Sequence, residues 1–119
     1  MNRQAHLVIG VVLFLVYLYI AMFFHGTSGE LFVSGIAAVA AGSLFPDILE
    51  PPVNARHRGF FHSRRAFRSV SVIFLLMAVP FLFYPGIHHF ALVFGASCFF
   101  LGYAAHLLAD SLTRAGLPW

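Results

Sequence analysis

Lysine is absent, and the 119 residues carry only seven Arg and four acidic side chains. A soluble domain keeps charge at roughly a quarter or more of its surface positions. The 9% charged and 61% hydrophobic residues found here exclude an ordinary aqueous domain and a disordered chain alike. Cysteine is represented by Cys98 alone, inside an apolar run, which excludes an intrachain disulfide and a thiolate zinc site and leaves the redox compartment open. The shortage of acids leaves a formal charge of +3. A basic balance points to nucleic acid only when it forms a patch on a water-exposed surface. Five of the seven Arg instead fall between Arg56 and Arg68, which in so apolar a chain reads as a topology signal, with anionic lipid as a second partner and no nucleic acid expected. The lipid bilayer is the solvent, and the 15 Phe are read as lipid-facing and packing residues.

The apolar runs predict an all-α integral membrane four-helix bundle. Leu7 to Phe24 spans 18 residues, about 27 Å of helix. That exceeds the apolar core of a secretory signal, usually about 7 to 15 residues, and no clear small-x-small cleavage site follows, so the run is expected to remain as the first helix. The second, residues 31–45, is rich in Ser, Gly and Ala, which let helix backbones approach closely in lipid. Pro46 is expected to end or kink it at Phe45. Ser69 to Ala109 offers 41 residues without formal charge, broken by Tyr84-Pro85-Gly86 and His88-His89, and so divides into helices at 70–83 and 90–109. Ala91, Gly95, Cys98, Gly102 and Ala105 form a small-residue seam on the last. A loop at 46–69 completes a single membrane domain, 1–119, with no internal repeat.

Arginine accumulates in cytoplasmic loops. With both termini cytoplasmic, all seven Arg lie inside and none in the outer connections, which fixes the expected orientation in the plasma (inner) membrane. The polar residues then sort into an outer group, His25, Glu30, His88 and His89, and an inner group, His6, Asp47, Glu50, His57, Arg58, His62, His106 and Asp110. Imidazole and carboxylate are ligands for transition metals. His106 and Asp110, four apart on one helix, share a face. An Asp there opposes the macrodipole, and ionisable groups near hydrocarbon are costly; a bound cation offsets both penalties, although the pair taken alone reads more simply as bonded to each other or solvated among headgroups. His57 and His62 read separately as surface residues of a basic loop, Asp47 as a helix cap and His6 as an interfacial residue. Their gathering at one depth from four segments makes metal binding the favoured reading.

The segments His6-Leu7-Val8-Ile9-Gly10, Gly42-Ser43-Leu44-Phe45-Pro46-Asp47-Ile48, His57-Arg58-Gly59-Phe60-Phe61-His62-Ser63 and the run from Gly102 to Thr113, with Gly116 after it, resemble the successive motifs of the YdjM family of predicted inner-membrane, metal-dependent hydrolases. The ligand order of that family is in turn similar to zinc-dependent phospholipase C and the S1/P1 nucleases. The more distant resemblance implies that Asp47, His62, His106 and Asp110 hold one metal, and that His6 contributes to a second bridged by Asp110. The later His and Glu ligands of the soluble phosphoesterases are missing, so one or two divalent ions, zinc first, are implied rather than three.

The function expected from this set is metal-dependent hydrolysis of a phosphoester, in a phospholipid or lipid-linked phosphate, at the cytoplasmic membrane face. His57, Arg58 and Glu50 are the candidate catalytic residues: Arg58, with Arg64 or Arg65 beside it, to hold phosphate through paired N–H donors, and Glu50 as a general base. Each has a plainer reading, as positive-inside arginine or solvated carboxylate. The alternative function is a small non-enzymatic membrane protein with a structural or regulatory metal site, and transport ranks third because the polar residues sit at the bilayer edge. Short helices with small-residue seams are also suited to packing across a homo-oligomer.

Overall fold

A computed structural model describes residues 3–25, 29–50, 59–84 and 90–112. Among them are four long helices and no strand: α1 (Arg3–His25), α2 (Gly29–Leu49), α3 (Arg64–Phe83) and α4 (Phe90–Ser111), with a single 3-10 turn, Phe60–His62, before α3. Each helix has 20 to 23 residues, about 30 to 35 Å, enough to cross a hydrocarbon core of roughly 30 Å. All four are apolar enough to do so, and most of each span faces outward: only 22–44% of its residues are buried within the bundle. A helix is what such a sequence must form in lipid, where each backbone N–H and C=O has to be satisfied within the segment.

Two helices run further than the sequence pattern suggests. α2 passes through Pro46 to Leu49 instead of stopping at Phe45. Proline at 46 removes only the amide that would serve the Gly42 carbonyl, and the ladder resumes at once, with Glu50 N–H donating to the Pro46 carbonyl at 2.9 Å. α3 begins at Arg64, not Val70, because Ser63 caps it: its Oγ accepts from the Ala66 amide at 3.1 Å. Arginines in a first turn oppose the helix dipole, which is why charge alone assigns them to a loop. At the far end, residue 85 is proline and offers no amide to the Phe81 carbonyl; His25 supplies the donor from α1, Nε2 to O at 2.6 Å.

The most extensive helix pair is α2 with α4. Its cause is reciprocal: a Cβ on Gly42 would fall on the Phe99 carbonyl, and one on Gly102 on the Val39 carbonyl. The expected α4 seam therefore packs closely at Gly102, flanked by buried Cys98 and Ala105, whereas Gly95 faces open space. Half of the bundle is filled by an aromatic cluster, in which Tyr17 stacks on Phe94 at 5.1 Å and Phe81 meets Phe94 at 5.0 Å. Tyr17 donates to Ser97 Oγ at 2.8 Å, and Ser97 in turn to the Phe94 carbonyl at 2.7 Å, so this buried polar pair is satisfied. A second cluster, Ala66, Val70, Tyr103 and Leu107, lies toward the opposite end of the bundle.

Candidate metal centre

That end is where the start of α1, the end of α2, the 3-10 turn and the end of α4 meet. Of the five expected ligands, His6, His62, His106 and Asp110 are buried, each no more than 4% exposed. Asp47 is only partly covered, its side chain 20% accessible, and so marks the open side of the group. Continuation of α2 through Pro46 carries Asp47 there on a helix; had the chain turned away at Phe45, its carboxylate would leave the bundle.

His106 fixes the electrostatics. Its Nδ1 lies 2.7 Å from the Ser43 carbonyl, which can only accept, so Nδ1 carries the proton. In the neutral ring, the Nε2 lone pair then points into the cluster. Nε2 is buried without a hydrogen-bond partner. It faces Asp47 Oδ1 at 3.6 Å and Asp110 Oδ2 at 3.4 Å. A buried acceptor beside two carboxylates is a costly arrangement in the absence of a cation. His6 stacks on the same ring, centroids 4.0 Å apart, and its Nε2 meets Asp110 Oδ1 at 2.8 Å.

His62 bridges two acids, Nε2 to Asp47 Oδ1 at 3.1 Å and Nδ1 to Glu50 Oε1 at 2.8 Å. The carboxylate behind Nδ1 is the arrangement by which metal-binding histidines are oriented. Glycine at 59 makes room for it, since a Cβ there would strike Glu50 Oε2. From α4, the Tyr103 hydroxyl donates to the Phe61 carbonyl at 2.9 Å and ties the turn to the bundle. Two overlapping triads have ligand atoms within 4.8 Å of one another: His6, His106 and Asp110, and Asp47, His62 and His106. These buried His and Asp groups can hold a metal ion. Both triads draw on the same single His106 lone pair.

The five expected ligands and Glu50 are thus neighbours, while His57 and Arg58 lie outside the described residues. Ser43, Gly59 and Tyr103 were not singled out for the site by sequence reasoning. A backbone carbonyl has no side-chain signature, Tyr103 acts on a carbonyl 42 positions away, and Gly59 matters only because Glu50 folds against it. The YdjM inner membrane protein family model matches residues 1–119. The chain belongs to that family. Its place in the inner membrane agrees with the four spanning helices. No curated protein and no solved structure matches it.

Proposed function

We propose that this YdjM-family protein is a membrane-embedded, metal-dependent hydrolase acting on a phosphoester of a lipid or lipid-linked substrate at the cytoplasmic face. The observation that carries the reading is the buried, unpartnered Nε2 of His106, with its ring nitrogen Nδ1 committed to Ser43 and two carboxylates within 3.6 Å. Asp47, His62, His106 and Asp110 are the ligands of one ion. Imidazole and carboxylate donors together suit zinc. In a two-ion form, His6 joins the second ion through the Asp110 bridge. Expanded to a fifth position, a divalent ion so held would supply a coordinated water of pKa near about 7 and would polarise a phosphoryl oxygen.

The chain's own residues divide the remaining work. Glu50, through its 2.8 Å bond to His62, holds that ligand in orientation, a role its geometry favours over that of general base. The partly open Asp47 side is the approach for substrate. His57 and Arg58, from the motif that contains His62, serve the substrate in this proposal, Arg58 by paired donation to phosphate. The rival reading is a structural or regulatory metal site in a non-enzymatic protein. It is favoured by the assignment of four protein donors to one ion, since four donors fill a tetrahedral shell.

Elemental mass spectrometry of the detergent-purified full chain tests the centre. About one zinc per chain is expected, lost in His106→Ala and Asp110→Ala. Metal content unchanged by either substitution refutes the site. Two ions per chain, with one lost in His6→Ala, identifies the bridged form. Turnover of phosphoester lipids by the loaded protein separates the hydrolase from the structural reading.

A further inference from the structure

From the start of α3 we infer a docking surface for anionic phospholipid headgroups, built on Arg65 and Arg68. Both side chains are exposed. They begin a stripe that continues along α3 at helical spacing through Val72, Leu76, Val79 and Phe83, each 49–69% exposed. The buried face of the same helix, Ala66, Val70, Ala78 and Phe81, is turned to the bundle. A helix spanning a bilayer presents such an apolar stripe to acyl chains, so the arginines at its end stand at headgroup level. Phe60 and Phe61, just before the helix, are exposed beside them at 57% and 39%.

The described residues supply no counter-charge. The chain has four carboxylate side chains. Asp47, Glu50 and Asp110 are engaged with His62, His106 and His6. Glu30 opens α2 at the opposite end of the bundle. No ion pair joins Arg65 or Arg68 to a carboxylate among the described residues. Guanidinium groups match phosphate oxygens with paired donors, and a lipid phosphate lies at the depth where this stripe turns from apolar to basic. Diacyl phosphatidylglycerol fits both parts, its chains along the stripe and its phosphodiester on the arginines. The surface stands independently of the metal centre; the backbone that carries it also carries His62.

Native mass spectrometry of the detergent-purified full chain, titrated with phosphatidylglycerol or phosphatidylcholine, tests the assignment. The wild type is expected to prefer phosphatidylglycerol. Arg65→Gln/Arg68→Gln is expected to lose that preference by about 30-fold, a roughly fivefold contribution from each arginine. Arg65→Lys/Arg68→Lys is expected to retain most of it. The same double Gln variant keeps its metal, so failure of this surface and failure of the metal centre are read separately. A preference changed by less than about twofold in a folded Gln variant overturns the surface. Displacement of the lipid by inorganic phosphate alone, at concentrations matching the lipid, overturns the lipid as its ligand.

Discussion

Replacing Glu50 by Gln perturbs one interaction with little change of shape. In the wild type a carboxylate oxygen stands 2.8 Å from His62 Nδ1, and the residue is buried enough, 14% side-chain exposure, for that bond to escape most screening by solvent. The carboxylate favours the ring with its proton on Nδ1, which leaves the Nε2 lone pair, on the nitrogen that faces Asp47, available to a metal. Glutamine keeps an acceptor oxygen but removes the charge, so the His62 tautomer can persist while its electron density falls. Outer partners of this kind are worth about 10- to 100-fold in metal affinity, or about 1.4 to 2.7 kcal/mol. The expected result is weaker zinc binding within that interval, measured by competition with a chromophoric chelator on the purified protein in detergent. An affinity within about twofold of wild type would refute the orienting role. A variant with intact zinc affinity and lost turnover would instead return Glu50 to the part of general base.

At the opposite end of the bundle, His25→Ala removes the 2.6 Å bond to the Phe81 carbonyl, so the thermal midpoint in detergent should fall, by the equivalent of about 1 kcal/mol, while metal content stays at the wild-type level. Gly102→Ala drives a methyl group into the Val39 carbonyl and should cost about 1 to 3 kcal/mol through forced separation of α2 and α4; a thermal shift scan showing no destabilisation would contradict the close crossing. Gly59→Ala should reproduce the zinc-affinity loss of Glu50→Gln, because the added Cβ displaces the same carboxylate; the chelator competition decides it. Tyr103→Phe removes the bond to the Phe61 carbonyl, worth about 1 kcal/mol, and should speed proteolytic cutting around the 3-10 turn relative to wild type.

Composition and apolar run length determine the solvent and the helix count without any tertiary information. A chain with 61% hydrophobic and 9% charged residues has no means of covering itself for water, and in hydrocarbon its backbone must close hydrogen bonds locally. The candidate ligands were legible for a similar reason: His and Asp are expensive at a membrane boundary, so their recurrence on four segments at one depth already pointed to a shared partner. Helix ends were less legible. Pro46 breaks one hydrogen bond wherever it stands, but whether the helix also stops depends on what lies beyond it, and here that is Asp47 approaching His62 and His106.

Only the tertiary structure decided how the ligands are presented. The proton on His106 Nδ1 is set by a carbonyl 63 positions away in sequence, and the Nε2 lone pair that both triads share follows from it. Glu50 becomes the partner of His62 because Gly59 leaves it room and Tyr103 holds the intervening turn. Such relations reside in distances between segments. Residue types settle which groups can bind a metal or enter a bilayer, since those are costs of transfer that each side chain carries with it. Which nitrogen faces which oxygen is a matter of packing, and two glycines at the crossing of α2 and α4, whose backbones meet where no Cβ fits, establish it.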